Sequence, residues 1–252
     1  MKSFRQQKRP RKSSLIAGPE AVRESLLADV PLERIYLQFG RQYDEIRLLA
    51  SQKRVPVNQV PEAKLNSFHV PDHGGCIALK ARVRYYELDD VIHSVQARGE
   101  TPLLLILDGI TDVRNIGGIA RTAYCTGVHA LIIPDKGVGA LNEDAVLTSA
   151  GALEKIMISR VDSLVKAAEQ LRMNGITILA SVMDSDTAIA DCDLSEPLAI
   201  VLGSEDKGIS PVVLKVANGR FTIPMQREFD SLNVSVAAGM ILYETMKQRN
   251  HG

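Results

Sequence analysis

No apolar run in this 252-residue sequence approaches the roughly 20 residues that a helix needs to cross a bilayer, and nothing near Met1 resembles the apolar core of a signal peptide. A cytoplasmic protein is therefore expected. Cysteine is scarce: Cys76, Cys125 and Cys192 are odd in number, far apart and without Cys-x-x-Cys spacing. No disulfide framework or zinc pattern follows, so the three read as reduced core residues and no metal is expected. His69 and His73 stand four apart, but Pro71 interrupts the helix that such a metal pair would need. They read as loop residues. Also missing are the Gly-x-Gly-x-x-Gly fingerprint of dinucleotide-binding folds and the lysine of a P-loop, which argues against a nicotinamide-dependent oxidoreductase.

What is present is an ordinary globular composition, 45% hydrophobic and 24% charged, with a net charge of zero. The charge is uneven. Lys2, Arg5, Lys8, Arg9, Arg11 and Lys12 all precede the first acid, Glu20. Residues 1–13 read as a disordered basic arm, and an unfolded cluster of this kind attracts phosphate. Residues 14–83 follow as a small α/β unit, with a helix-like segment from Ile16 to Leu27, a strand at Ile35–Leu37, a helix from Tyr43 to Ser51 and a strand at Gly75–Ala81. Residues 84–100 turn polar and charged and read as a linker.

Residues 101–252 alternate strands and helices. Leu103–Leu107 is a continuous apolar run of strand length, the pattern of a strand buried on both faces. A helix follows from about Ile116 to Cys125, then strands at 130–133, 156–158, 176–180, 198–202 and 221–223, with a clear amphipathic helix from Val161 to Asn174. The expected fold is α/β, a mostly parallel sheet with helices on both faces. Ligands bind such sheets beyond the carboxyl ends of the strands. Three loops there are unusual. The first leads into Asn115-Ile-Gly-Gly-Ile-Ala-Arg121, the second is Gly203-Ser-Glu-Asp-Lys-Gly208, and the third runs from Ile223-Pro-Met to Ser231-Leu-Asn-Val-Ser-Val-Ala237. By residue type alone, Arg121 also fits a surface residue paired with Asp108 or Asp112. Ser231 and Asn233 likewise fit helix caps as well as a ligand loop.

Taken together, these three segments resemble the ordered motifs of the SpoU/TrmH 2′-O-ribose methyltransferases of the SPOUT superfamily, over about residues 101–248. The stretch from Ile16 to Ala81, with Gly18-Pro-Glu-Ala-Val-Arg-Glu-Ser-Leu, more weakly resembles the RNA-binding substrate domain of RlmB-type 23S rRNA guanosine methyltransferases. The resemblance implies S-adenosylmethionine as methyl donor, a homodimer, an RNA substrate and a C-terminal trefoil knot. It implies that the backbone around Gly203, Ile223 and Leu232 holds the cofactor. It also implies that Arg121 is the catalytic arginine, with Asn115, Asn233 and Glu205 positioning it and the ribose, and Ser231 contacting RNA or shaping the cofactor turn. A guanidinium is essentially never neutral in proteins, so Arg121 is expected to grip a phosphate and stabilise developing alkoxide charge rather than accept a proton. A tRNA 2′-O-methyltransferase and a noncatalytic RNA-binding protein on the same fold are the alternatives.

Overall fold

The computed structural model describes residues 14–227, Phe229 and residues 231–251, so the basic arm lies outside the described residues. The chain divides into two compact units at Arg82/Val83. The first holds β1 (Leu15–Ala17), α1 (Pro19–Leu27), β2 (Leu32–Gln38), α2 (Asp44–Gln52), β3 (Val57–Val60), α3 (Glu62–Asn66) and β4 (Cys76–Lys80). Its sheet order is β1-β4-β2-β3. Alternating residues of β2, Ile35 and Leu37, pack with Val22 and Leu26 of α1 and Ile46 and Ala50 of α2 into one small core. The helix expected from Ile16 starts later, at Pro19, because Gly18 takes φ 96° and Leu15–Ala17 pairs antiparallel with β4 instead. His69 and His73 sit in the connection between α3 and β4, where the His73 ring meets Asn66 Oδ1 at 2.9 Å.

The second unit contains β5 (Tyr85–Tyr86), α4 (Leu88–Ala97), β6 (Leu103–Asp108), α5 (Val113–Cys125), β7 (Ala130–Pro134), α6 (Glu143–Thr148), β8 (Met157–Val161), α7 (Leu164–Met173), β9 (Thr177–Ser181), β10 (Leu198–Gly203), α8 (Pro211–Leu214), β11 (Gly219–Phe221) and α9 (Val234–His251). Its seven strands run in the order β11-β9-β10-β6-β7-β8-β5, and every paired neighbour is parallel. Leu103, Leu105 and Leu107 face Ile116 and Ile119 of α5 and Ile241 of α9, while Leu104 and Ile106 face Ile92 of α4 and Ala168 and Leu171 of α7. The central strand is therefore buried on both faces, as its unbroken apolar run requires. Seven parallel strands flanked by helices match the expected α/β class.

The expected linker is a correction. Tyr85 and Tyr86 form the edge strand of the sheet, and Leu88, Val91, Ile92 and Val95 of α4 are buried. Of the charges between residues 84 and 100, Asp89 and Asp90 lie on the exposed side of α4 while Arg84, Glu87, Arg98 and Glu100 flank it, so a composition averaged over that stretch hides the apolar face of the helix. The stretch from Pro134 to Ile156, expected as a long loop, carries α6 and a short 3₁₀ turn at Ala152–Glu154.

Strand order reverses between β10 and β6, which the chain lays side by side after placing β7, β8 and β9 to either side. That reversal opens a crevice at the carboxyl ends of the central strands. The loops leaving β6 and β10 meet there, where Asp108 Oδ2 accepts the Ser210 N–H at 2.8 Å.

Candidate active site

The loop after β10 is shaped by one glycine. A Cβ on Gly203 would lie 2.2 Å from the Gly208 carbonyl carbon and 2.4 Å from the Ile209 nitrogen, so no side chain fits. Ser204 and Gly208 exchange two backbone hydrogen bonds, at 3.1 and 2.9 Å, and Gly208 takes φ 64°. The result is a tight turn that projects Glu205.

Glu205 joins all three loops. Its Oε1 accepts from Asn115 Nδ2 at 3.0 Å, from Asn233 Nδ2 at 2.6 Å and from the Val234 N–H at 3.2 Å. Asn233 Nδ2 also donates to Asn115 Oδ1 at 3.0 Å, which closes a triangle of side chains. Asn233 Oδ1 caps α9 by accepting the N–H groups of Ser235 and Val236 at 3.0 and 3.3 Å. Asn233 thus caps the helix through its oxygen while its nitrogen joins Glu205 and Asn115. Ser231 makes no such cap among the described residues and lines a cavity instead. A carboxylate at the start of an 18-residue helix is also favoured by the helix dipole.

That cavity has a volume of about 430 Å³ and lies over the carboxyl ends of β9, β10 and β11. Gly203, Ile223 and Leu232, the three expected backbone contributors, line it together with Glu205 and Ser231. Leu202, Ile209, Val234 and Ala237 supply apolar walls. The main-chain groups of Ile223 and Leu232 make no hydrogen bond to any other described residue, so their N–H and C=O remain available to a ligand. Size and lining suit a small organic molecule with an apolar, planar part.

Arg121 stands apart from this network. It is exposed on α5, one turn beyond Gly118, whose Cα face lies against Ser235 at the start of α9. Among the described residues its guanidinium has no hydrogen-bond or ion-pair partner. The surface pairing considered for it is not made: Asp112 accepts from the Arg114 N–H at 2.9 Å, and Asp108 is engaged with Ser210. Asn115, Glu205 and Asn233 are therefore in mutual contact, Ser231 sits on the cavity wall, and Arg121 presents a free cation on the neighbouring helix. The sequence reading missed the segment after β9, where Ser181, Val182, Met183 and Asp184 line the cavity with Lys207 and Arg220. Strand Ile176–Ala180 was legible, but only the strand order places it beside β10, so its loop was not searched.

With that geometry in hand, comparison with known proteins is decisive. The profile of the SpoU rRNA Methylase family matches residues 102–243, and that of the RNA 2′-O ribose methyltransferase substrate-binding domain matches residues 15–86. The chain belongs to the SpoU rRNA methylase family. As a member it is an RNA 2′-O-ribose methyltransferase. It is 32% identical over 238 residues to YacO of Bacillus subtilis, assigned to the TrmH family of tRNA/rRNA methyltransferases; the match covers 93% of this chain and 96% of YacO. A solved RNA 2′-O ribose methyltransferase is similar at 25% identity and a TM-score of 0.55, covering 95% of this chain and 91% of that one. The fold also matches the SpoU methyltransferase AviRb of Streptomyces viridochromogenes, solved with AdoMet, at 23% identity and a TM-score of 0.62 over 94% of this chain and 91% of that one.

Proposed function

We propose that this enzyme transfers a methyl group from S-adenosylmethionine to the ribose 2′-oxygen of a guanosine in 23S rRNA, and that it works as a homodimer with a knotted C-terminal segment. The single observation that carries the site is the closed triangle of Asn115, Glu205 and Asn233 at the mouth of the cavity. When bound, the cofactor supplies a sulfonium-activated methyl group. Its adenine would lie against the main chain of Gly203, Ile223 and Leu232, where free N–H and C=O groups meet apolar walls.

The chemistry left to the protein is alignment and charge. On taking up that methyl group the ribose 2′-hydroxyl would give its proton to solvent, and the neutral thioether left behind would need none. Asn115 and Asn233, fixed by Glu205, hold the reacting ribose in line. Arg121 grips the adjacent phosphate and stabilises the oxygen as it loses its proton. Ser231 shapes the wall between cofactor and RNA.

One feature supports the homodimer. Val236, Met240 and Tyr243 are 49, 47 and 62% exposed and stand at i, i+4 and i+7 on α9, an apolar stripe of the kind that a partner subunit covers. The small first unit, matched to a substrate-binding domain, is assigned to the RNA.

Mapping 2′-O-methyl groups on total RNA from cells with and without the gene tests this reading. Loss of one methyl group from a guanosine of 23S rRNA is expected. Loss from a tRNA would redirect the assignment to the tRNA branch, and an unchanged map would overturn it.

A further inference from the structure

The cavity carries four charged side chains, Asp184, Glu205, Lys207 and Arg220. Glu205 is committed to its three N–H donors. Lys207 projects from the exposed turn between Ser204 and Gly208. The remaining two, Asp184 and Arg220, stand on segments that are hydrogen-bonded to each other. Arg220 lies in β11 opposite Ala180 of β9, and the chain just after β9 folds back on it. The Ser185 hydroxyl donates to the Arg220 carbonyl at 3.1 Å, and the Thr222 hydroxyl donates to the Met183 carbonyl at 3.2 Å. Segment 183–185 is thereby tied to segment 220–222, which places Asp184 beside Arg220 on one side of the cavity. Among the described residues neither side chain has a hydrogen-bond or ion-pair partner.

An acid and a base, anchored through their backbones, unpaired with each other and facing the same cavity, match a ligand that is itself a zwitterion. The geometry points to Arg220 and Asp184 as the pair that takes the aminoacyl end of S-adenosylmethionine, the guanidinium meeting the carboxylate and Asp184 meeting the ammonium group. The inference rests on the cofactor reading above. A guanidinium suits the first task because its fork meets both carboxylate oxygens at once, and its position on a strand held by β9 and by Ser185 fixes where that fork starts. Lys207, a single flexible point charge on a turn, is the weaker candidate for carboxylate recognition.

The test compares two ligands that share the adenosine and differ at the far end. S-adenosylhomocysteine keeps the aminoacyl group; 5′-methylthioadenosine ends after the thioether. Calorimetry on the full chain and on Arg220→Gln, Arg220→Lys and Asp184→Asn gives four affinities for each ligand. The glutamine and asparagine variants are expected to lose about tenfold or more for S-adenosylhomocysteine, the size of a charge-assisted hydrogen bond, and to keep their affinity for 5′-methylthioadenosine. Arg220→Lys is expected to recover part of the loss. Equal losses for both ligands, or unchanged binding of S-adenosylhomocysteine, would overturn the assignment of this pair while leaving the cofactor reading standing. An unsubstituted chain that binds neither ligand overturns the cofactor reading itself.

Discussion

The side-chain amide of Asn233 donates to the amide oxygen of Asn115 at 3.0 Å, although 118 positions separate the two in the chain. Both then meet on Glu205, so the three loops that the sheet brings together are locked by side chains and not merely adjacent. Of the expected catalytic groups, Arg121 and Ser231 lie outside the lock, Ser231 on the cavity wall and Arg121 on the exposed side of α5. That separation sorts the consequences of substitution into those that break the frame and those that spare it.

Arg121→Ala spares it. The residue is exposed and has no polar partner among the described residues, so the melting temperature should move by less than the equivalent of about 0.5 kcal/mol. Methyl transfer to RNA should fall below detection while S-adenosylmethionine affinity stays within about twofold, since no cavity-lining residue changes. Calorimetry showing lost cofactor affinity, or an assay showing normal turnover, would sink the assignment.

Glu205→Gln breaks the frame with almost no change in shape. The amide offers one oxygen where the carboxylate offers two, and turns two N–H donors toward a site already crowded with donors. Loss of charge-assisted bonds at a solvent-accessible site should cost about 1–2 kcal/mol. Both cofactor affinity and the melting temperature should therefore fall together, in contrast to Arg121→Ala. Unchanged stability with lost turnover would instead give Glu205 a purely chemical role.

Gly203→Ala tests the turn itself. The added methyl group meets the Gly208–Ile209 peptide unit, at 2.2 and 2.4 Å from its carbon and nitrogen, and backbone cannot swing aside as a side-chain tip can. Destabilisation of about 3 kcal/mol, at the upper end for overpacking, is expected, with cofactor binding abolished. Gly127→Ala, where no atom lies within 4 Å of the new Cβ, isolates the contribution of φ alone, since Gly127 takes φ 80°. Denaturant titration of the two variants separates crowding from backbone strain.

Acid stability reports on the far end of the sheet. His129 is mostly buried, its Nδ1 accepts the Leu103 N–H at 3.0 Å, and its Nε2 lies 3.2 Å from Glu100 Oε2. Burial holds the imidazole below the ordinary histidine range and outweighs the neighbouring carboxylate, which pulls the other way. The folded-state value is thus the lower one. As pH falls below about 6.5 the unfolded chain takes up a proton first, so stability present near neutrality is lost through that window. Glu100, held below the ordinary carboxylate range chiefly by Arg98, adds its own loss at a lower pH. Denaturation midpoints measured from pH 7.5 to 5 should fall for the native sequence and fall less for His129→Gln. Parallel curves would remove His129 from this account.

Much of the fold is legible in local pattern. Leu103–Leu107 announces a strand buried on both faces, and Gly175 and Gly127 end helices where the spacing places them. The three loops are legible because each follows a strand of the parallel sheet and because together they resemble the ordered motifs of one family. What cannot be read locally is adjacency. The order β11-β9-β10 decides that the segment after β9 lines the cavity, and nothing in residues 177–184 says so. Glu205 illustrates the same limit: a carboxylate near a helix start suggests a dipole partner, but its two asparagine donors come from helices far away in the chain. Tyr85 and Tyr86 were hidden for a different reason. A two-residue edge strand followed by an amphipathic helix has too little periodicity to stand out from a charged connection.

The span between Asn115 and Asn233 also sets a clock. At roughly 5–20 residues per second of synthesis, Asn115 leaves the ribosome roughly 6–24 s before its partner exists. For most of that interval, until Leu198–Gly203 is made, β6 lacks β10, its neighbour on one side, and the apolar face of α5 that meets α9 stays uncovered to the end. The enzyme thus spends its first seconds at the tunnel exit with its frame of Asn115, Glu205 and Asn233 open, and closes it only with its last helix.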